Sequence, residues 1–582
     1  MRKKHHSFYR SRYLSMLGSG TFTISIDYLM FLCDSIIVGQ LIGPDGICAV
    51  NVVAPLVAAA TFVSSCLPEG ISILYTRSIG AMDRSRANRL FGMGLIAVSG
   101  ISVLISALLI AFGGYYLHIS ILSPEIYGYA KEYFFFLPLY APLLIFDCYF
   151  DQIVYSDGDN TLVAVNYAVR IISKILLTVV LGKLVGIRGV MLATVISIVV
   201  SLIILSLHFF KRSNTLHFTP YFSFRELLLS VKYSIPDAIV YLLWGMMDFV
   251  LIGYITKNYG RKHLVILAVI YCLIQMSVIF DGIGMAIQPL IGVYFGERNA
   301  AMIKKLMKDA QLTAIAEGII STLILFVFAP QIARIFGITD TVIFNDAVVA
   351  IRIFSLTITA SSLIMMGSAY LLYIDRVGLS VGMLCLTYGV LSVLLPVSFS
   401  LLFGETGIWT GLAASPVSGA VLSLIVIRML TGREDYPWML PENICSDVFI
   451  YDTVLSPEGI TDASGKIQAL MSSHGYSKND GVKAALFVEE ISTTVLERNG
   501  SDDVAAEYSL LFDDDCARLV IRDSGAIFDV TDPDLKITGL SSFVINGLMK
   551  AKEEKGYVPT TGYNRNMIRF DHTSEKPEDP QA

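Results

Sequence analysis

The stretch DSIIVG, residues 34–39, sits inside an apolar run, and DFVLIG, residues 248–253, sits inside another about 214 residues later. Each places an acid where burial is costly and keeps the same step to a glycine. The pair is not isolated. Glu69-Gly70 is matched by Asp281-Gly282, IGAMDRSRANRL (79–90) by FGERNAAMIKKL (295–306), and LVGIRGVMLAT (184–194) by LFGETGIWTGL (402–412). The offsets stay between 212 and 218, as small loop differences in a duplicated unit produce. The chain therefore reads as two halves of one origin.

The composition around the repeat is that of a membrane protein. Of 582 residues, 54% are hydrophobic and 16% charged, against about 25% charged in an ordinary soluble chain. So much apolar sequence in so long a chain points to a bilayer rather than to one large core. Runs of about 20 apolar residues place twelve spans, near 15–40, 49–75, 91–117, 133–156, 161–183, 187–210, 231–256, 263–293, 309–336, 346–374, 378–402 and 406–430. Six spans per half make the repeats parallel, related by an axis along the membrane normal. With the N-terminus inside, the inner segments hold twenty Lys and Arg, whereas the outer loops hold Lys183, Arg188, Lys257, Arg261, Lys262 and few others. That bias predicts a multi-pass protein of the plasma (inner) membrane with both termini cytoplasmic.

The tail differs from the body. Residues 435–582 hold 26 Asp and Glu against 13 Lys and Arg, so an acidic soluble segment follows a slightly basic membrane part. The divisions are a basic N-terminus (1–14), an N-lobe (15–215), a C-lobe (216–432), a linker (433–446), a tail domain (447–572) and an acidic end (573–582). The eight cysteines form no CxxC pair, and MRKKHHSFYRSRYLSML runs directly into the spans. No metal site, disulfide framework or cleavable leader is expected.

Function enters through the cost of the acids. An ionised carboxylate at the centre of a span costs about 2.5–3.5 kcal/mol. Either copy of a repeated Asp can drift to an apolar residue and relieve that cost, so its presence in both halves argues for use. At 1.5 Å per residue, Asp34 lies roughly 25 Å from the inner end of its span, and Asp248 is similar. Asp27 is seven residues before Asp34, on nearly the same face. Asp237, Tyr241, Trp244 and Asp248 recur at i, i+4, i+7 and i+11, again one face. Acids interleaved with rings suit a large organic cation, through charge pairing and cation–π contact; aromatic packing between helices is the plainer alternative. Glu69 and Asp281 lie nearer the inner ends of their spans, beside Pro68 and Pro289, which can free backbone carbonyls for an ion. Asp147 and Asp151 in the fourth span, and Arg170 and Lys174 in the fifth, are i, i+4 pairs expected to form an ion-pair lock.

The local text resembles one transporter family. DSIIVGQLIGPDGICAV resembles the first-span signature of the multidrug and toxic compound extrusion (MATE) family. PEGISILYTRSIGAMDRSRA resembles the end of its second span, and IQPLIGVYFGERN (287–299) its eighth. The resemblance covers about residues 10–430. It implies two six-helix lobes in a V, exporting organic, often cationic, compounds against inward Na⁺ or H⁺. The family's first-span acid falls on Asp34, and Asp248 is the best match for its C-lobe acids. A further tenth-span acid has no match, since Asp375 lies at a loop; this puts the C-lobe ion site and Na⁺ coupling in question. Lipid-linked oligosaccharide flippases of the same superfamily share the architecture and are the alternative. Their cavities should be lined by Arg and Lys, whereas the buried charge here is mostly acidic.

In the tail, KAALFVEEISTTVLER (483–498) reads as an amphipathic helix, and EYSLLFDDDCARLVIRDSG (507–525) as two strands around an acidic turn. TGLSSFVINGLMKAKEE (538–554) reads as a glycine-led helix and GYNRNMIRF (562–570) as a last strand, giving an α+β domain. This order resembles the histidine-kinase-like ATPase fold, especially its anti-sigma serine-kinase branch. The resemblance puts Glu490 at the catalytic Glu, Asp523 and Gly525 at the adenine-contacting motif, and Gly539 in the phosphate loop. Thr494 stands where that family has a Mg²⁺-binding Asn, and Ser541 where it has a second glycine. ATP and Mg²⁺ are implied, beside a degenerate module that binds a regulatory protein. A third class follows: a membrane-tethered serine kinase with the membrane part as sensor. No G-x-x-x-x-G-K-[ST] occurs, so the membrane part is read as a non-enzymatic antiporter. Its partners are the bilayer and a small organic substrate, not nucleic acid.

Overall fold

The computed structural model describes residues 8–42, 44–120, 124–260, 264–276, 281–335, 341–431, 436–441, 444, 447–500, 503–513, 515–527, 556–557 and 562–571. The first half folds as α1 (Phe8–Leu41), α2 (Pro44–Ser65), α3 (Pro68–Gly80), α4 (Arg84–Ser120), α5 (Pro124–Phe134), α6 (Leu137–Ser156), α7 (Asn160–Val185) and α8 (Ile187–Ser206). Three of these begin on a proline, whose fixed φ and missing N–H suit the first helical turn. The second half follows as α9 (Phe224–Asn258), α10 (Leu264–Met276), α11 (Asp281–Gly296), α12 (Ala300–Ile335), α13 (Thr341–Ser355) and α14 (Ile358–Tyr373). It ends with α15 (Val377–Leu384), a wider π turn over Cys385–Leu391, α16 (Ser392–Phe403) and α17 (Glu405–Leu430).

Among the described residues, eight helices are long and apolar enough to cross a membrane, or nine if α13 and α14, bent by 42°, form one span. α1 and α7, which carry Asp27, Asp34, Arg170 and Lys174, lie outside that set, as do the short α10 and α11. The 346–374 stretch, read as one unbroken span, divides between α13 and α14 at the 42° bend. The 49–75 stretch falls within one candidate span, Val52–Gly80, despite the turn before Pro68. The 263–293 stretch holds α10 and α11, and residues 277–280 between them lie outside the described residues.

The repeat is written into the backbone. Gly186 (φ 69, ψ −146) ends α7, and Gly404 (φ 63, ψ −144) ends α16, at equivalent positions of the two halves. Met82 (φ 63) and Arg298 (φ 60) are likewise equivalent and share a left-handed conformation that side chains rarely adopt. The halves also meet reciprocally. A Cβ at Gly80 would lie 2.2 Å from the Val293 carbonyl oxygen, and one at Gly296 would lie 2.2 Å from that of Arg77. Each glycine sits against the other half's equivalent carbonyl, so α3 and α11 cross at backbone contact.

The tail forms a five-stranded antiparallel sheet in the order β1-β2-β3-β5-β4. Its strands are β1 (Asp447–Val454), β2 (Ala505–Phe512), β3 (Cys516–Asp523), β4 (Gly556–Tyr557) and β5 (Asn564–Asp571). α18 (Pro457–Ser473) and α19 (Lys478–Asn499) cover one face. β1 and α18 were not read from the sequence. Alternation sets the two faces. Tyr508, Leu510, Leu519, Ile521 and Ile568 pack under the helices, in one core with Phe487, Val488 and Ile491 of α19. The opposite face presents Leu511, Val520 and Met567, which pack with Met82 of the membrane part.

Candidate functional site

The most organised polar site lies where the lobes cross. Glu69 stands in the first turn of α3 and is 6% exposed. Its Oε2 accepts from Gln152 Nε2 of α6 at 2.7 Å. Its Oε1 accepts from Tyr373 Oη at the end of α14 at 2.5 Å and also from Gln288 Nε2 of α11. Gln152 Nε2 additionally reaches Gln288 Oε1 at 3.1 Å. One N-lobe carboxylate is thus held by one donor from its own lobe and two from the other. The helix-end dipole of α3 adds partial positive charge beside it. Asp237 of α9 is an electrostatic neighbour of this carboxylate and is itself exposed.

A second layer lies one helical stretch further along α3. Arg77 Nη1 donates to Tyr233 Oη at 2.9 Å, and its Nη2 donates to the Tyr373 carbonyl at 2.7 Å. The guanidinium also lies over the rings of Tyr233 and Phe295, 4.9 and 4.6 Å from their centres. Tyr233 in turn donates to Asp375 Oδ1 at 2.5 Å. Asp375 is at the end of α14, with φ 68, and supports the Tyr233–Arg77 contact.

Within the N-lobe, Arg170 Nη1 lies 2.7 Å from Asp147 Oδ2, and Ser201 Oγ donates to Asp147 Oδ1 at 2.5 Å. Tyr167 donates to Asp151 Oδ2 at 3.3 Å, and Lys174 is buried nearby on α7. The structure therefore brings α6, α7 and α8 together around Asp147. In the C-lobe, Asp248 is half-buried and accepts from Tyr271 of α10. Trp244 faces elsewhere, into a cavity of about 50 Å³ lined also by Tyr388, Ser361, Ser392, Ser415 and Phe354. That volume holds a few waters rather than an organic compound. Tyr388 reaches the cavity from the π turn, a widening often found at functional sites.

The predicted stripe on α9 is therefore divided. Asp237 belongs with Glu69 between the lobes, Trp244 with the C-lobe cavity, and Asp248 with Tyr271. The side chains of Asp27, Asp34, Tyr241 and Asp281 lie outside the described residues. Gln152, Gln288, Tyr373, Arg77 and Tyr233 were not singled out in the sequence. The available signal was an amide within an apolar run, as in DQIVY and IQPLIG.

In the tail, Asp523 ends β3 and is buried; it accepts from Asn564 Nδ2 at 2.7 Å and from the Gly525 N–H at 3.1 Å. Burial pushes this carboxyl up to about 6. Asn499, just beyond Thr494 on α19, accepts from the Ala526 N–H at 2.8 Å. Thr494 is buried and donates to the Glu490 carbonyl at 2.7 Å. The turn after β3 thus meets α19 at Val495 and Asn499, with Thr494 adjacent in sequence and Glu490 about one helical turn before it. Gly539 and the 538–554 segment lie outside the described residues.

A two-lobed helical body with interlobe carboxylates is that of a membrane transporter. The MatE family model matches residues 21–180 and 236–397, more than half of the chain, and the protein belongs to this family. The tail lies beyond that match. Solved structures agree in fold. A crystal structure of MATE in complex with MaL6 is 22% identical, with a TM-score of 0.66, covering 72% of this chain and 95% of that one. The outward-facing conformation of a multidrug resistance MATE family transporter of the MOP superfamily gives 22% and 0.67, with the same coverage. A MOP superfamily transporter from Pyrococcus furiosus, described by the reverse polarity of its binding pocket, gives 21% and 0.65, also covering 72% and 95%. No curated protein matches the chain.

Proposed function

We propose that this MATE-type transporter exports organic, cationic compounds in exchange for H⁺ or Na⁺ across the plasma membrane, through twelve spans with both termini cytoplasmic. The observation that carries this reading is the interlobe clasp on Glu69. Its donors come from both lobes, so the carboxylate is fully satisfied only while the lobes stay closed at this end. When they part, the donors leave, and a buried carboxylate must take a proton or a cation instead. The same exchange at Asp34 and Asp248, deeper in their helices, lets one small cation and one bulky one exclude each other. Each charge crossing with the membrane potential carries about 2.3 kcal/mol per 100 mV, enough to drive a substantial gradient of substrate. The tail is a cytoplasmic regulatory domain. Its Asp523–Gly525 turn, packed on the end of the helix that carries Glu490 and Thr494, favours a nucleotide-binding module, with ATP and Mg²⁺ as ligands, over a bare adaptor for a partner protein. Efflux of a cationic dye from vesicles under separately imposed Na⁺ and pH gradients tests the transport reading. Flow that follows neither gradient overturns it.

A further inference from the structure

One face of the tail sheet carries charges that do not belong on a closed surface. Arg522 of β3, Arg565 of β5 and Glu507 of β2 are all fully buried, together with Glu297 in the turn between α11 and α12. Arg522 pairs with Glu507 at 2.6 Å and also with Glu297. Arg565 Nε lies 2.6 Å from the other oxygen of Glu297. The remaining nitrogens of Arg565 point across the lobe boundary. Nη1 donates to the Ile79 carbonyl at 2.8 Å, and Nη2 to the Gly80 carbonyl at 2.5 Å, at the end of α3. A single tail residue therefore grips the N-lobe by α3 and the C-lobe by Glu297. Around it, Arg518 donates to the Glu297 carbonyl at 3.0 Å, Arg298 lies 3.5 Å from Asp513, and Lys305 lies 3.5 Å from Asp452. On the N-lobe side, Tyr563 meets Phe8 of α1 edge to face at 5.0 Å.

This grip falls on the crossing of α3 and α11, where Gly80 and Gly296 bring the two halves to backbone contact. Lobes that alternate between two openings must separate there in one of their states. Arg565 cannot keep both its partners through that separation, because they belong to different lobes. The docked face is also polar at its centre, with two cations and two anions that water can take up when the sheet lifts. Interfaces of that composition suit reversible docking between domains better than permanent burial. The alternation along the strands shows that the face is built this way. Glu507, Ser509, Arg522 and Arg565 point to the membrane part, while Tyr508, Leu510, Ile521 and Ile568 point to the tail's own core.

We propose that the tail is a releasable clamp: through Arg565 and Arg522 on Glu297 it holds the two lobes closed at the tail-bearing end, and its lifting sets how often that end opens. The inference rests on the two-lobe alternating reading but needs no substrate, so it can fail independently of the dye assay. The test is the distance between spin labels at Ser85 and Lys308, in the full chain with its native cysteines replaced, reconstituted in vesicles without substrate. The unaltered protein should give one short distance. Arg565→Ala, from the tail side, and Glu297→Gln, from the membrane side, should each add a longer component. Arg569→Ala, on the same strand but paired with Asp571 inside the tail, should not. If Glu297→Gln, which leaves the tail sequence intact, keeps the single short distance, the clamp is overturned. It is overturned equally if Arg569→Ala opens the lobes as much as Arg565→Ala does.

Discussion

At the scale of single residues, the question is what each buried charge does for its neighbours. Asp147 holds Arg170 at 2.7 Å with only 2% of its side chain exposed. Removing one partner of such a pair costs about 3–5 kcal/mol, whereas replacing both by apolar groups of similar size is often neutral. Asp147→Ala should therefore lower the thermal unfolding temperature in detergent sharply, and Asp147→Leu with Arg170→Met should recover most of the loss. Equal melting of the single variant and the unaltered protein would remove the lock. Asp523 gives a pH signature. Burial raises its carboxyl to about 6, against about 3.9 in an unfolded chain. Over roughly pH 4–6 the folded tail keeps a proton that the unfolded tail gives up, so its stability falls as pH rises through that window. Thermal unfolding of the excised domain, 447–572, should show this fall, and Asp523→Asn should flatten it. An unchanged slope in the variant would contradict the assignment. The acids were legible because a charge in an apolar run stands out. Their partners were not, because Gln152, Gln288 and Tyr373 are ordinary residues whose role comes from where three distant helices bring them.

At the scale of elements, the duplication was legible and the bend between α13 and α14 was not. LVGIRGV and LFGETGI announce the same turn, and Gly186 and Gly404 adopt nearly the same left-handed backbone. Local chemistry fixed that turn, so sequence alone reached it. Helix continuity depends on packing as well, and the run at 346–374 looked unbroken on hydropathy alone. In the tail, the strand and helix order around Asp523 was readable from alternation, but β1 and α18 were missed. DVFIYDTV alternates only weakly, and its partner, β2, lies about fifty residues away. The α3–α11 crossing gives an element-scale prediction. Gly296→Ala places a methyl 2.2 Å from the Arg77 carbonyl oxygen, closer than real contacts allow. It should lengthen the Ser85–Lys308 label distance, whereas Gly100→Ala, which has open space around it, should leave that distance unchanged. The same distance in both variants would mean that α3 and α11 do not set the closed state.

At the scale of the molecule, three sites are each assembled from groups far apart in the chain. The C-lobe cavity lies beside Trp244, the Glu69 clasp joins the lobes, and the tail closes over the turns that follow α3 and α11. The sequence could not show these assemblies. Arg565 and Gly80 lie 485 residues apart, and nothing local to either predicts the other. The Glu69 clasp and the tail contact share one property: each draws its groups from both halves, so opening has to break both. The carboxylates then decide what crosses. The most direct measurement is gradient-driven export of a cationic dye from vesicles holding the unaltered protein, Asp34→Asn or Glu69→Gln at equal, folded levels. A proton or Na⁺ gradient should drive export by the unaltered protein, and both variants should lose it by about tenfold or more, the equivalent of about 1.4 kcal/mol of coupling. Export by both variants at the unaltered rate would contradict the exchange at these carboxylates.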